Sequence, residues 1–241
     1  MTYIIVAAGM GTRLHPYTQD CPKASYKLDA HTTLLSHLVR GLKKHDPAAE
    51  VVVCTGFCAE RIKEEVPEAI CIWNPFYAVT NSLSTLWFAR DYLDRAQVTI
   101  IDGDIIAEDR LLKEVYCCPV DRPTSMMDSS RASSGDYCVL TDGEGRVITM
   151  GKGLPRADGE YANVTKLDGK TARLLKDKME QMLKLGRIND WMETALNQLV
   201  FEEGVTLYTR DIAGYRWSEM DSAADLPLVR AIYQEDQACK K

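Results

Sequence analysis

Tyr3-Ile4-Ile5-Val6-Ala7-Ala8-Gly9-Met10-Gly11-Thr12-Arg13-Leu14 is the stretch that decides the fold. Its first five residues form an unbroken apolar run, the pattern of a strand buried on both faces. A glycine-bearing loop follows at once. Glycines let backbone N–H groups approach a phosphate closely. Arg13 adds a planar fork of donors, and Lys23, just after Pro22, adds a point charge. The same two glycines also fit a plain strand-to-helix turn. Two familiar nucleotide loops are excluded. The P-loop ends in Gly-Lys-Ser/Thr, which is missing here. The dinucleotide fingerprint needs a third glycine where this chain has Leu14.

Working outward, Leu34, Leu35, Leu38, Val39 and Leu42 recur at helical spacing. Val51–Cys54 and Ala69–Trp73 read as two more buried strands. Ser82 to Leu93 reads as a helix, and Val98–Asp102 as a fourth strand that runs into Asp102-Gly103-Asp104. Such alternation predicts a Rossmann-like three-layer α/β/α domain with a mostly parallel central sheet. The whole chain, 1–241, reads as one domain. A nucleotide-binding half spans about 1–122, and an acceptor-binding insertion with its helices spans about 123–203.

Residues 123–165 carry short β patterns broken by Ser, Gly and Asp. Thr141-Asp142-Gly143-Glu144-Gly145 is a turn signal between Tyr137–Leu140 and Val147–Met150, so a small antiparallel lid is expected here. A helix over Lys170–Leu185 follows. The next helix is expected to carry Ile188, Trp191, Met192, Ala195, Leu196, Leu199 and Val200 on one stripe. Val205–Thr209 reads as a late strand. Ser222-Ala223-Ala224-Asp225 is a capping-box pattern ahead of the last helix.

The chain has 241 residues, of which 46% are hydrophobic and 27% charged, so it is neither disordered nor fibrous. Its net charge of -6 argues against a nucleic-acid partner while allowing a local anion pocket. No apolar run approaches the roughly 18 residues of a membrane span. Tyr3–Ala8 is too short for a signal-peptide core, so a cytoplasmic location without membrane insertion is expected. The eight cysteines are Cys21, Cys54, Cys58, Cys71, Cys117, Cys118, Cys138 and Cys239. They read as reduced thiols, because Cys54 and Cys58 have no second pair at zinc spacing.

Ala7-Ala8-Gly9-Met10-Gly11-Thr12-Arg13-Leu14, with eight residues between Leu14 and Lys23, resembles the signature of the nucleotidyltransferases that make sugar nucleotides and CDP compounds. Asn74 to Trp87, Ile101-Asp102-Gly103-Asp104 and Glu219-Met220-Asp221-Ser222 are similar to the bacterial choline-phosphate cytidylyltransferases within that family. The resemblance implies that Ala8, Gly9, Gly11, Thr12, Arg13 and Lys23 bind the nucleotide, with Lys23 and Arg13 catalytic. It implies that Asp104 and Asp221 hold Mg²⁺, a set that suits this ion together with phosphate oxygens. Asp221 equally fits a helix-start residue favoured by the dipole. Asp102 either supports the loop or contacts ribose. Asn81 and Ser82 suit the reading of a cytosine edge, although a helix cap explains Asn81 as well.

The implied reaction is attack of an acceptor phosphate on the α-phosphorus of CTP, with release of pyrophosphate. Asp136, Tyr137, Tyr161, Asp190, Trp191, Glu193 and Trp217 lie where the resemblance places the acceptor. Aromatic faces with carboxylates suit a cationic amine, while packing would explain Trp191 and Tyr137 equally well. Choline phosphate leads, followed by 2-aminoethylphosphonate. A sugar-1-phosphate acceptor and a non-catalytic nucleotide-binding regulatory domain are the alternatives. The last is disfavoured because Arg13, Lys23, Asp104 and Asp221 are all present.

Overall fold

The computed structural model describes residues 1–132 and 135–238. Packing divides the chain into two compact units that interleave in sequence. The first comprises Met1–Val79, Ile101–Cys118 and the stretch from Tyr215 onward, and the second Thr80–Ile100 and Pro119–Gly214. The expected halves follow chain order with a divide near residue 122, whereas these units exchange segments.

In the first unit, β1 (Thr2–Ala7), β2 (Glu50–Thr55) and β3 (Ile70–Trp73) are parallel neighbours, with Tyr3 opposite Val51 and Val53 opposite Cys71. Tyr3, Ile4, Ile5, Val52 and Val53 are fully buried, as a sheet covered on both faces requires. Helix α1 (Leu34–His45) connects β1 to β2, and α2 (Ala59–Glu65) connects β2 to β3. The apolar stripe of α1 is buried at Leu34, Leu35, Leu38, Val39 and Leu42. Its start is a capping box: the Ser36 N–H donates to Thr33 Oγ1 at 3.2 Å, and the Thr33 N–H donates to Ser36 Oγ at 2.8 Å. Lys43, Lys44 and His45 in its last turn complement the helix dipole.

Strand β4 (Gln97–Asp102) begins in the second unit and ends in the first, where its carboxyl end lies next to β1. The Gly103 N–H then donates to the Val6 carbonyl at 2.8 Å. A Cβ on Gly103 would come within 2.7 Å of Ala7 Cβ, so only glycine allows this approach. Next, β5 (Ile105–Ala107) leads into α4 (Asp109–Leu111) and a π-type turn over Leu112–Tyr116.

In the second unit, α3 (Ser82–Phe88) passes into a 3₁₀ turn over Arg90–Asp94, shorter and tighter than the single helix expected over Ser82–Leu93. Strands β6 (Thr124–Asp128), β7 (Cys138–Thr141), β8 (Val147–Gly151) and β9 (Gly159–Asp168) follow. Strands β6 and β9 are antiparallel and almost wholly buried, so they are sheet strands and not part of a separate lid. Only the β7–β8 hairpin keeps the character of an insertion. Its turn is the expected one: Gly145 has φ 73°, and the Asp142 carboxylate accepts the N–H groups of Glu144 and Arg146.

Helix α5 (Gly169–Lys184) starts where the Asp168 carboxylate accepts the Lys170 and Thr171 N–H groups. Helix α6 (Met192–Glu202) begins later than the sequence stripe suggests. Ile188 and Trp191 precede it, because that backbone is tied to α3: the Ile188 carbonyl accepts the Asn81 N–H at 3.2 Å, and the Asp190 carbonyl accepts the Leu83 N–H at 3.3 Å. The late strand is β10 (Tyr208–Asp211), parallel to β6 and beginning three residues after Val205.

The chain completes the first unit with β11 (Trp217–Glu219), antiparallel to β5, and α7 (Leu226–Ala238). Leu14, Tyr26, Leu34, Ile106, Met220, Leu226, Val229, Ile232 and Tyr233 form one buried apolar cluster there, fixing the glycine loop, β5 and α7 against each other. Cys21, Cys54, Cys58, Cys71, Cys117, Cys118 and Cys138 are thiols. Cys239 lies outside the described residues. No helix among the described residues is long and apolar enough to cross a membrane.

Candidate active site

Strand β1 delivers Ala8, Gly9, Met10 and Gly11 into an open loop. Ala8 is buried, whereas Gly9, Thr12 and Arg13 are exposed, so the backbone around Gly9 is accessible. Gly11 has φ 64°, in the region that favours glycine. A Cβ there would also press on the Lys23 side chain at 3.2 Å. The Thr18 hydroxyl donates to the Gly11 carbonyl at 2.6 Å, and the Leu14 N–H donates to the same oxygen at 2.9 Å. The buried Leu14 anchors the short helical turn Thr12–Leu14, which carries Arg13 outward.

Lys23 stands on the tight turn Lys23–Ser25 after Pro22. Its ammonium donates to Asp104 Oδ2 at 2.5 Å and to Asp221 Oδ1, with Glu219 Oε1 at 4.0 Å. Arg13 Nη2 donates to the same Asp221 oxygen at 3.0 Å. Burial opposes the Lys23 charge, but the Asp104 and Asp221 carboxylates outweigh it and hold the amine above its ordinary range. Asp221 is lowered: burial works against its ionised form, and Lys23 more than offsets this.

Asp104, Glu219 and Asp221 each offer an oxygen within 4.8 Å of the others. Glu219 is not among the expected metal ligands. It sits two residues before Asp221 at the end of a three-residue strand, too short for a periodic signal. Burial, then the Asp104 and Asp221 charges, push its carboxyl up to about 8. Asp104 is aimed by the Gly103–Asp104 turn, because β4 ends at Asp102. Asp221 is not the residue that opens α7. The Asp225 carbonyl accepts the first helical N–H, from Val229 at 3.0 Å, while Asp225 Oδ2 accepts the N–H groups of Asp221 and Ser222 at 2.9 and 2.6 Å and so braces the turn before α7.

The donor set fits Mg²⁺. Three carboxylates surround one point, and Asp104 Oδ1 is buried with no hydrogen-bond partner among the described residues. A buried carboxylate oxygen left in that state is costly, and a hard cation satisfies it.

The acceptor candidates fall mostly in the second unit. Trp191 is at the start of α6 in extended conformation and 40% exposed, so it is not the core residue its apolar stripe suggests. Its ring meets Tyr137 edge-on, with centroids 5.9 Å apart, and Tyr137 meets Tyr161 at 6.2 Å. Tyr161 is buried, and its hydroxyl lies 2.8 Å from Thr165 Oγ1. It backs Tyr137 and does not line a surface. A register shift in the β6–β9 pairing, beside Asn163 at φ 55°, sets it there. Glu193 is 6% exposed, and burial pushes its carboxyl up to about 7. Its charge acts on the Tyr137 phenol. Asp136 pairs with Lys152, and Asp190 pairs with Arg187 at 2.6 Å.

Trp217 is set elsewhere in the chain's packing units. It lies in β11 of the first unit and is 2% exposed, so it is core. Asn81 and Ser82 lie in the second unit and are occupied locally. Asn81 Oδ1 accepts the Ser82 N–H at 2.8 Å as a helix cap, and Ser82 Oγ accepts the Met192 N–H at 2.9 Å. Asp102 closes β4 one residue before the tight Gly103 contact.

Residues 2–116 match the nucleotidyl transferase family. The chain is similar to the 2-aminoethylphosphonate cytidylyltransferase of Lancefieldella rimae, at 26% identity over 62% of this chain and 60% of that protein. It is also similar to the choline-phosphate cytidylyltransferase of Streptococcus pneumoniae, at 30% identity over 43% of this chain and 44% of that protein. The chain therefore matches less than two thirds of either protein's length. Its fold is that of the CTP:phosphocholine cytidylyltransferase structure from Streptococcus pneumoniae, with TM-score 0.81 and 19% identity over 96% of this chain and 98% of that one.

Proposed function

We propose that the protein is a CTP-dependent cytidylyltransferase that transfers CMP to a small phosphorylated or phosphonylated amino alcohol and releases pyrophosphate. The observation that carries the transfer chemistry is Lys23 and Arg13 converging on Asp104, Glu219 and Asp221 behind an open glycine loop. Similarity to two cytidylyltransferases supports CTP as donor, and CTP as donor fits a cytoplasmic location. Choline phosphate ranks first as acceptor. Trp191 is 40% exposed, while Asp136 and Asp190 already hold Lys152 and Arg187. A quaternary ammonium uses aromatic faces and offers no N–H donors, so it suffers least from engaged carboxylates.

In this reaction an acceptor oxygen attacks the α-phosphorus. A new P–O bond forms as the bond to the β-phosphate oxygen breaks, and the electron pair leaves with pyrophosphate. The second pKa of a phosphate is near 6, so the acceptor is largely dianionic at neutral pH and requires no general base. Lys23 and Arg13 neutralise charge that builds on the α-phosphate and the leaving group. The backbone from Ala8 to Thr12 positions the phosphates. Asp104, Glu219 and Asp221 would hold Mg²⁺, which supplies further charge neutralisation when bound.

The test is a pyrophosphate-release screen of CTP, UTP, ATP and GTP against choline phosphate, 2-aminoethylphosphonate and glucose-1-phosphate. Release from CTP that depends on an amine acceptor is expected. Best activity with UTP or glucose-1-phosphate would move the protein to the sugar branch.

Two further results are expected from the acceptor group. Trp191→Ala should raise the acceptor KM about 3- to 10-fold with the CTP KM nearly unchanged, the range for a partly exposed cation–π contact. An equal KM for both acceptors before and after the change would remove Trp191 from the site. Glu193 gives the second. Its carboxyl is neutral below about 7 and charged above, so acceptor kcat/KM should climb as pH rises through about 7. Glu193→Gln should leave only the step near 6 that belongs to the acceptor phosphate. Between its ordinary range and about 7, the folded protein keeps a proton that the unfolded chain has released. Glu193 therefore costs stability as pH rises across that window. Unchanged profiles in Glu193→Gln would show that this carboxyl takes no part.

A further inference from the structure

Lys152 follows β8 and is followed by Gly153, at φ 65° with open space around it. Its ammonium lies 5.2 Å from the centre of the Trp191 ring, inside the range of a cation–π contact. The same ammonium pairs with Asp136. Its charge also favours the ionised form of Glu193, the buried carboxylate at the start of α6. One aromatic face and two carboxylates therefore already share a cation. That cation belongs to the protein.

We propose that Lys152 is a specificity-determining residue of the acceptor site: its ammonium occupies the cation position on Trp191 in the free protein, and a cationic acceptor must displace it to bind. This rests on the reading of an amine acceptor. The arrangement suits displacement. Lys152 and Asp136 are both about half exposed, and ion pairs at that exposure are weak. A lysine stem is long and flexible, so the head group can swing to water without disturbing the hairpin. The surrounding groups stay in place. Trp191 is braced edge-on by Tyr137, and the Asp136 backbone N–H donates to Glu160 Oε1 at 3.1 Å. The occupant also sorts ligands. A neutral acceptor gains nothing from evicting it, whereas an ammonium group takes over its contacts.

The test removes the charge while keeping the stem. In Lys152→Met the KM for choline phosphate should fall about 5- to 10-fold, with kcat and the CTP KM nearly unchanged. Lys152→Arg, which keeps a cation over the ring, should stay near the parent protein. Independently of turnover, an NMR titration with tetramethylammonium chloride at fixed ionic strength should show tighter binding to Lys152→Met. That gain should vanish when Trp191→Ala is added. Unchanged or weaker tetramethylammonium binding in Lys152→Met would overturn the proposal, the weaker result making Lys152 a ligand of the acceptor itself. The two readings fail separately. Tighter tetramethylammonium binding without turnover of any amine acceptor would sustain the role of Lys152 and remove the transferase reading. Turnover of choline phosphate with identical KM in both proteins would do the reverse.

Discussion

Lys23→Ala is expected to lower kcat by ~10²-fold or more, the loss seen when a donor aimed at developing charge is removed. The reason lies in what surrounds this amine. It is only 14% exposed and touches two carboxylates, with a third at 4.0 Å. Asp104 and Asp221 together outweigh its burial, so it stays protonated throughout the working pH range. A lysine held this way is a fixed positive charge and not a proton shuttle. Catalysis should therefore show no step assignable to Lys23 between pH 6 and 9. Removing it also leaves Asp104, Glu219 and Asp221 facing one another without their counter-ion. Mg²⁺ should then raise the melting temperature of Lys23→Ala by more than it raises that of the parent protein. Steady-state rates and thermal melts with and without Mg²⁺ check both statements. A near-normal kcat in Lys23→Ala would deny Lys23 a role in charge neutralisation.

The second large effect concerns the carboxylates. Asp221→Asn and Asp104→Asn should each cost ~10²-fold in rate at low Mg²⁺, with partial recovery as Mg²⁺ is raised, because each offers one hard oxygen to the same ion. Glu219→Gln should cost less. Its carboxyl is pushed up to about 8 and so is largely protonated at neutral pH in the free protein. A helix-start role would also explain an aspartate at position 221. In the structure Asp225 accepts the N–H groups of Asp221 and Ser222 ahead of α7, while the Asp221 carboxylate meets Lys23 and Arg13. Asp221→Asn should therefore abolish most turnover, with a fall in melting temperature no larger than the loss of its ion pairs to Lys23 and Arg13 explains. Mg²⁺ titrations of the initial rate measure this. Full activity with a lowered melting temperature would return Asp221 to a structural role.

The parts legible in the sequence are those where one local pattern determines one outcome. Tyr3–Ala7 is apolar at every position because β1 is covered on both faces. The stripe from Leu34 to Leu42 has only one buried face to serve, and Thr141–Gly145 can hardly be other than a turn. The glycine loop, Lys23 and Asp104 stand out only through the resemblance of their motifs to the nucleotidyltransferases, since two glycines after a strand are by themselves an ordinary turn. What was not legible depends on partners far along the chain. Trp191 fits the periodicity of α6, yet backbone bonds from Asn81 and Leu83 hold the preceding segment out of the helix and leave the ring exposed. Glu219 joins the carboxylate cluster only because β11 pairs with β5, a contact that three residues cannot announce. Trp217 and Tyr161 show the converse. An aromatic residue in a strand is equally suited to a core or a site, and here both are core. Asn81 and Ser82 are spent on caps and cross-links that the sequence left open beside base reading.

The central claim is that a phosphate or phosphonate of an amino alcohol becomes joined to CMP. ³¹P NMR of the protein with CTP, Mg²⁺ and choline phosphate follows this directly. The expected result is loss of the choline phosphate monoester signal together with equal growth of two coupled diphosphate-diester signals, and growth of one free pyrophosphate signal at twice the intensity of either, because it holds two equivalent phosphorus nuclei. Repeating the experiment with 2-aminoethylphosphonate should give the corresponding phosphonate–phosphate product. A spectrum in which CTP stays intact, or falls to CMP and pyrophosphate while both acceptors remain unchanged, would contradict the account.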